Sequence, residues 1–157
     1  MNQLPKSQCV WEYSLTRRKV MEIREGERTT SPQDIARILR AFGLPDKEQE
    51  HFLTIILDTK QHVKGLYTVT IGLVDRSQTH AREVFRTAIM QGASRVILAH
   101  NHPSGDPAPS AQDISCTKSL VFAGKIVGIE VLDHIIIGLP NPSRPRDYIS
   151  FREEGLL

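Results

Sequence analysis

The sequence is poor in the residues and patterns that mark several classes of protein. Its two cysteines, Cys9 and Cys116, are too few to staple a secreted domain and are typical of a protein from a reducing compartment. No apolar run approaches the roughly 18 residues of a transmembrane helix, and the first residues lack the apolar segment of a secretory signal. We therefore expect a cytoplasmic protein with no membrane association.

An excess of charge of one sign is also missing. The 20 Lys and Arg residues nearly balance the 18 Asp and Glu residues, so that the formal net charge is +2. Proteins that bind nucleic acid usually carry a strong positive field, and the local basic cluster at residues 17–19 is typical of a solvated surface. We therefore expect at most a weak association with nucleic acid.

Apolar residues are present in the ordinary proportion for a soluble protein, 39% of the 157 residues. A chain of this length buries well over half of the surface that its unfolded form exposes, which is enough for one hydrophobic core. We expect a single domain over residues 31–157, preceded by an arm over residues 1–30. Apolar alternation from Val20 to Ile23 predicts one edge strand in that arm.

Capping signals and helical periodicity predict helices in three places. Ser31 followed by Pro32 is typical of a helix start, and the apolar spacing that follows predicts a helix over residues 32–42. Similar periodicity predicts the other two helices. They are expected over residues 79–93 and from Ser110 to Gly124, where the glycine ends the last helix.

Runs of β-branched and apolar residues predict strands between these helices. Residues 52–58 and 62–72 are expected to form a hairpin, and the segment RVILAH at 95–100 a short buried strand. The segment IVGIEVLDHIIIG at 126–138 contributes one or two strands, and YISFREEGLL at 148–157 a short strand or a terminal turn. Strands that alternate with helices around one sheet predict an α/β domain with layered (α+β) packing.

The most informative stretch is ILAHNHPSGDPAPSAQD, residues 97–113. His100 and His102 stand two apart at the end of a strand, so both imidazoles leave the same face. The Pro/Gly-rich loop then brings Asp113 back in the first turn of the next helix. Two histidines and one carboxylate suit zinc and leave a position for water. The competing interpretation is structural: Ser110 and Asp113 also match a helix capping box, which would use the same carboxylate.

The segment HNHPSGDPAPSAQD resembles the signature of the RadC family, a branch of the JAB/MPN group. The zinc-binding JAMM motif of that group reads His-x-His, seven residues, Ser, two residues, Asp, which is matched at His100, His102, Ser110 and Asp113. The resemblance continues in EVFRTAIMQGASRVILAHNHPSGDP, GIEVLDHIIIG and ISFREEGLL, and it covers about residues 46–157. It implies a mixed JAB/MPN-like sheet flanked by helices, layered as in cytidine deaminase.

The resemblance also implies a reaction: hydrolysis of a peptide or isopeptide bond by a zinc-activated water, with a protein or peptide as the substrate. An upstream glutamate relays the proton. Glu50 precedes the first strand, and this is the position along the chain that the order of elements in the JAMM fold predicts for the acid. Glu83 lies at the start of a helix, where the helix dipole alone is a sufficient structural reason for a carboxylate. We therefore favour Glu50 over Glu83. Ser110 would stabilise the oxyanion that develops on the scissile carbonyl.

Several neighbouring residues are predicted to have structural roles. Asp106 lies in the loop between the ligands and is expected to form a turn. Cys116 is a small apolar residue on a helix face, since a fourth protein ligand would close the water position. His134 is predicted to be a hydrogen-bonded core histidine, and no ligand role is assigned to it or to Asp133.

The main departure of this chain from the family pattern is at its N-terminal end. Many RadC proteins carry an N-terminal helix-hairpin-helix region, and the first 45 residues here are too short to hold both that region and the lead-in helix. We therefore expect a short form that lacks it. Two other functions stay open at this point: a DNA repair or replication accessory protein that contacts nucleic acid, and a non-catalytic interaction module that keeps zinc for stability. The sequence determines neither the specific substrate nor the oligomeric state.

Overall fold

The computed structural model describes residues 16, 18–22, 31–72 and 79–157. Within these ranges the chain forms three helices and a mixed sheet of five strands. The predicted α/β fold class is confirmed. The helices are α1 (Pro32–Phe42), α2 (Ala81–Met90) and α3 (Ala111–Val127), and the strands are β1 (His51–Leu57), β2 (Val63–Ile71), β3 (Arg95–Asn101), β4 (Glu130–Ile137) and β5 (Tyr148–Ser150).

The five strands lie in the order β2-β1-β3-β4-β5. β1 and β2 form the expected antiparallel hairpin, β1 is antiparallel to β3, and β5 is antiparallel to β4. Only the pair β3 and β4 is parallel among these, and α3 provides the crossover that a parallel pair requires. Because β1 and β3 run in opposite directions, the start of β1 lies beside the end of β3, with Phe52 opposite His100.

Helices cover both faces of the sheet, and each face has its own hydrophobic core. On one face α1 packs on residues such as Leu53, Ile55 and Ile97. On the other face α2 and α3 pack on residues such as Ile56 and Leu98. Burial on both faces explains why the central strands read as continuous apolar runs rather than alternating ones. No helix in the described part of the chain is long and apolar enough to cross a bilayer.

The helix α1 follows its local sequence signals closely. The Ser31 side chain accepts a hydrogen bond from the Asp34 backbone N–H, Pro32 occupies the first turn, and Gly43 ends the helix with a φ of 75°. That left-handed conformation is the one that glycine adopts without a steric penalty. A bidentate ion pair between Arg40 and Asp147 then joins α1 to the segment before β5.

The predicted end of α3 at Gly124 is wrong. The helix continues to Val127 and ends at Gly128, which has a φ of 74°. Gly124 instead allows a close approach: a Cβ at this position would stand 2.5 Å from the Ile129 carbonyl oxygen and 3.2 Å from the Phe85 ring. Because the helix takes up the first residues of the segment 126–138, that segment supplies a single strand, β4.

The predicted edge strand in the arm is not found at residues 18–22, which have no regular secondary structure. Met21 is partly buried against the core on the α1 face, so apolar alternation here reflects a packed segment rather than a paired strand. The end of the predicted strand, Ile23, and the cysteine Cys9 lie outside the described residues. The boundary between an arm and a domain at residue 30 stays a prediction.

Candidate metal centre

Two histidines and an aspartate meet where β3 ends and α3 begins. β3 lies in the middle of the sheet, and its apolar residues are buried. His100, near the end of this strand, is therefore only 1% exposed. His102 follows directly after the strand, and its backbone N–H donates to the Ile137 carbonyl of β4. The loop that follows returns the chain so that Asp113 lies in the first turn of α3.

The atoms that could hold a metal ion lie close together. The two Nε2 atoms of His100 and His102 are 3.0 Å apart. Asp113 brings Oδ1 within 3.4 Å of His100 Nε2 and Oδ2 within 3.6 Å of His102 Nε2. Zinc bonds of about 2.0–2.1 Å at tetrahedral angles separate neighbouring ligand atoms by about 3.3 Å. The donor set therefore fits a zinc ion, and it is the one metal-competent cluster among the described residues.

The carboxylate of Asp113 serves two neighbours with different oxygens. Its Oδ2 accepts hydrogen bonds from the Ser110 backbone N–H and the Ser110 hydroxyl, both at 2.7 Å. Ser110 Oγ in turn accepts from the Asp113 backbone N–H, which completes a capping box. Oδ1 is the oxygen that lies nearer His100. The capping interpretation and the metal interpretation of Asp113 are thus compatible, because the hydrogen bonds from Ser110 occupy Oδ2 and leave Oδ1 facing His100.

The electrostatic balance of this cluster favours an ionised aspartate beside a neutral His100. Burial alone would raise the pKa of Asp113, but the interactions with His100 and His102 outweigh it and hold the pKa well below its ordinary value. Burial lowers the pKa of His100. For His102 burial also acts to lower the pKa, yet the partners Asp113 and Asp106 raise it overall.

The outer nitrogen of His102, Nδ1, is held by the loop between the candidate ligands His102 and Asp113. His102 Nδ1 lies 2.7 Å from the Asp106 carbonyl oxygen, which can only accept, so Nδ1 carries a proton. In the neutral ring Nε2 then faces the cluster with its lone pair. The Asp106 carboxylate accepts from the Ala108 backbone N–H and lies 3.2 Å from Arg144. Asp106 therefore forms the turn that the sequence predicts and stands outside the metal-competent cluster.

Glu50 reaches the same cluster from β1. It directly precedes the strand, and its Oε1 lies 3.9 Å from His100 Nε2. Burial raises the pKa of Glu50 to about 7; the charge of Asp113 adds to the rise, and His102 opposes it. Glu83 is in the first turn of α2, where its carboxylate contacts Arg82 at 3.7 Å. The geometry thus favours Glu50 over Glu83 as the carboxylate beside the cluster.

Sequence reasoning missed Asn101, which lies between the two histidines. Its side chain is fully buried and its Oδ1 accepts from the His51 backbone N–H at 2.7 Å. Its Nδ2 donates to the carbonyl oxygens of Lys47 at 3.2 Å and Gln49 at 3.1 Å. Asn101 therefore fixes the segment that carries Glu50. A polar residue between two ligands in an otherwise apolar strand was the only signal for it.

Three further residues, Asp133, Cys116 and His134, lie around the cluster and make structural contacts. The Asp133 carboxylate is buried, and it accepts from the backbone N–H of His134 and the Ser150 hydroxyl, while burial raises its pKa. Cys116 is a free, partly buried thiol whose pKa is raised by burial. His134 is buried, hydrogen-bonded and in contact with His100, with a pKa that burial lowers well below the ordinary value.

The fold and the cluster together define a class of protein: an α/β domain with a candidate metal centre carried on a strand–loop–helix unit. A family model described as "RadC-like JAB domain" matches residues 29–156. The chain belongs to the RadC-like JAB domain family. The resemblance that the motif His-x-His, Ser and Asp first indicated is therefore confirmed.

Curated relatives give the same assignment. The chain is 45% identical over 127 residues to a UPF0758 protein of Desulfitobacterium hafniense, covering 81% of the chain and 53% of that protein. It is 43% identical over 150 residues to a UPF0758 protein of Bacillus cereus strain Q1, covering 95% of the chain and 64% of that protein. A UPF0758 protein of Methanosarcina mazei is 40% identical over 146 residues, covering 92% of the chain and 61% of that protein. The chain thus spans between half and two thirds of the length of these relatives, whose names state no activity.

Proposed function

We propose that this chain is a zinc-dependent hydrolase of the JAMM type that cleaves a peptide or isopeptide bond. One observation carries the proposal: three side chains whose ligand atoms have zinc-like spacing lie beside a second carboxylate, that of Glu50, whose pKa is raised to about 7. A structural zinc site normally closes with four protein ligands, whereas a catalytic one has three and an open position. Membership of a JAB domain family supports the same reading.

In this proposal His100, His102 and Asp113 hold the ion. A bound zinc ion supplies Lewis acidity, which lowers the pKa of a coordinated water toward neutrality and polarises a substrate carbonyl. Neutral Nε2 atoms and an ionised Oδ1 are the protonation states that such binding requires. The pKa shifts of His100 and Asp113 lie in that direction, whereas Asp113 and Asp106 raise the pKa of His102, so that a metal ion has to displace a proton there.

Glu50 is proposed to move the proton. A general base works best when its pKa is close to the working pH, and burial raises the pKa of Glu50 to about 7. With Oε1 3.9 Å from His100 Nε2, its carboxylate stands within one water molecule of the ligand atoms. It would accept the proton of the attacking water and return it to the leaving amine.

Ser110 is proposed to stabilise the oxyanion that develops on the scissile carbonyl. Its hydroxyl proton points at Asp113 Oδ2, so this role requires the hydroxyl to exchange that bond for one to the substrate. The Ser110 backbone N–H keeps its own bond to Oδ2 during the exchange. Asp113 therefore remains oriented while the hydroxyl turns.

Metal analysis of the purified chain beside its Asp113→Ala variant tests this proposal. We expect about one zinc ion per unaltered chain and none in the variant. The same preparations are then assayed for hydrolysis of a panel of peptides and isopeptide-linked peptides, with and without a chelator. An unaltered chain that holds no stoichiometric transition metal, or one that holds zinc and hydrolyses nothing in the panel, contradicts the proposal.

Chelation also separates the catalytic proposal from a non-catalytic interaction module that keeps zinc for stability. Cores on both faces of the sheet stabilise the domain independently of the cluster. We therefore expect the metal-free chain to remain folded by circular dichroism. Unfolding on chelation would support the non-catalytic module, in which the free energy of zinc binding is what stabilises the folded state.

A further inference from the structure

The sequence motif LDHIIIG contains a buried histidine that the proposed reaction leaves unused. We propose that His134 is a positioning residue, which holds the ligand His100 in the one tautomer whose Nε2 can bind a metal ion. It would do so as the middle link of a hydrogen-bonded chain that ends on a backbone carbonyl. The proposal rests on the metal centre proposed above and adds a residue from a different strand to it.

The chain of hydrogen bonds is continuous and buried. His100 Nδ1 lies 2.8 Å from His134 Nε2. His134 Nδ1 lies 2.6 Å from the Thr117 hydroxyl oxygen. Thr117 Oγ1 lies 2.6 Å from the carbonyl oxygen of Asp113, itself a member of the metal-competent cluster. Thr117 is fully buried, and His100 and His134 are each 1% exposed.

The carbonyl at the end of the chain sets the direction of every link. A carbonyl oxygen can only accept, so the single hydroxyl proton of Thr117 is donated to Asp113. The Thr117 oxygen must then accept from His134 Nδ1, which therefore carries a proton. A neutral imidazole has one N–H and one lone pair, so His134 Nε2 accepts from His100 Nδ1.

The neutral form of His134 follows from its surroundings. A charged imidazolium at a fully buried position needs a carboxylate partner, because desolvation of an unpaired charge costs several kcal/mol. The hydrogen-bond partners of the His134 ring are His100 and Thr117, neither of which is an anion. Aromatic rings occupy two of its sides, with Phe151 at 4.7 Å and Phe52 at 5.4 Å between ring centroids.

The tautomer of His134 determines which nitrogen of the ligand His100 carries the proton. With its proton on Nδ1, His100 has only a lone pair at Nε2, the atom that lies 3.0 Å from His102 Nε2 and 3.4 Å from Asp113 Oδ1. His102 reaches the same tautomer through the Asp106 carbonyl. Such outer partners fix the ring orientation of ligating histidines and raise their basicity. His134 thus holds the proton of the buried His100 on Nδ1, as the Asp106 carbonyl does for the partly buried His102.

The tautomers of His100 and His134 can be measured directly by NMR in the metal-free protein. We would label the histidines with ¹⁵N and record long-range ¹H–¹⁵N correlations, which distinguish a proton on Nδ1 from one on Nε2. We expect His100 and His134 both to carry the proton on Nδ1. A His100 proton on Nε2 in the metal-free chain would overturn the proposal.

Variants of Thr117 test the direction of these hydrogen bonds without replacing either histidine. Thr117→Val keeps the shape and removes the acceptor for His134 Nδ1, so we expect both tautomers of His134 and, through it, of His100. Thr117→Ser restores the hydroxyl and should restore the single tautomer. Thr54→Val is the matched control, because Thr54 is also fully buried and its hydroxyl also donates to a backbone carbonyl, that of Val84. An unchanged tautomer in Thr117→Val would overturn the proposal.

Zinc affinity supplies the second readout. In competition with a chelating dye, we expect His134→Leu to bind zinc about 10–100-fold more weakly than the unaltered chain. His134→Gln should recover part of the loss, since its amide oxygen can accept from His100 Nδ1. If His134→Leu fails to fold, the Thr117→Val and Thr117→Ser pair is used for the same measurement.

The two readouts separate this inference from the proposed function. An unaltered chain that shows the expected tautomers and yet binds no zinc contradicts the metal centre and the proposed reaction. An unaltered chain that binds zinc, with the same affinity in Thr117→Val and His134→Leu, contradicts the positioning role of His134 alone.

Discussion

Ser110 holds Asp113 by one oxygen, Oδ2, through two hydrogen bonds of 2.7 Å, and Asp113 presents the other oxygen to His100 at 3.4 Å. The capping box that begins α3 therefore also orients a candidate ligand. A Ser-x-x-Asp spacing is common at helix starts for reasons of capping alone. In this chain the same spacing places a carboxylate in the first turn of α3, and the oxygen that the cap does not use remains available to a metal ion.

Replacement of Ser110 separates capping from ligation. We expect Ser110→Ala to lower the free energy of unfolding by about 1 kcal/mol, because a side-chain cap is lost. Zinc content should stay unchanged, since the backbone N–H of residue 110 still holds Oδ2, while turnover falls. Ser31→Ala is the matched control: it removes the side-chain cap of α1 and should destabilise similarly without affecting turnover. Loss of zinc from Ser110→Ala would indicate a structural role instead.

Replacement of Glu50 tests the proton transfer. Glu50→Gln keeps the size of the side chain and removes the base, so we expect hydrolysis to fall by about 10²–10⁴-fold at unchanged zinc content. Glu83→Gln is the control, because that carboxylate lies in the first turn of α2 beside Arg82. Equal losses in both variants, or a loss confined to Glu83→Gln, would reject the assignment of Glu50.

Asn101 should govern the order of the segment that carries Glu50. In Asn101→Ala the His51 N–H and the Lys47 carbonyl lose their hydrogen bonds to Asn101, and the Gln49 carbonyl retains only its contact with the His51 ring. We expect faster amide hydrogen exchange at residue 51 and a loss of about 1–3 kcal/mol of stability, the range for buried polar groups left unsatisfied. The amides of α1, which Asn101 does not bond, serve as the internal reference. Unchanged exchange at residue 51 would contradict this role.

Gly138 should be required for the position of the loop between the ligands. A Cβ at this residue would stand 2.2 Å from the Gly105 carbonyl oxygen, which also accepts from the Leu139 backbone N–H and from Arg144. In Gly138→Ala the loop must therefore move, and the Asp106 carbonyl moves away from His102. We expect weaker zinc binding, measured by chelator competition. Gly65→Ala, where a Cβ meets nothing within 4 Å, should bind zinc as the unaltered chain does.

The ion pair between Arg40 and Asp147 should make stability depend on acid pH. The hydrogen bond from Arg40 holds the pKa of Asp147 below its ordinary value of 3.8. The unfolded chain therefore binds this proton at higher pH than the folded one, and the contribution of the pair is complete above about pH 4. The stabilising contribution of the pair then decreases as the pH falls through the pKa of Asp147 in the folded chain. We expect urea unfolding to show a stability gap between the unaltered chain and Asp147→Asn that is constant near neutrality and narrows below pH 4. A gap that stays the same down to pH 2 would contradict this.

Local signals predicted local structure well. Ser31, Pro32 and Gly43 define the bounds of α1, because capping and the left-handed conformation act within a few residues of the chain. Gly124 misled for the opposite reason. Its role depends on how closely α3 passes the residues that lead into β4, and a glycine that ends a helix looks the same in sequence as one that permits a close contact.

By itself the sequence determined the candidate ligand set, because His100, His102 and Asp113 lie on one strand, one loop and one helix start within a short stretch of chain. Only the tertiary structure decided what surrounds that set. Asn101 bonds His51 across 50 positions, His134 bonds His100 across 34, and Glu50 reaches the cluster because β1 and β3 are antiparallel neighbours. Strand pairing sets these contacts through backbone hydrogen bonds and shared burial, and neither leaves a spacing that can be read along the chain.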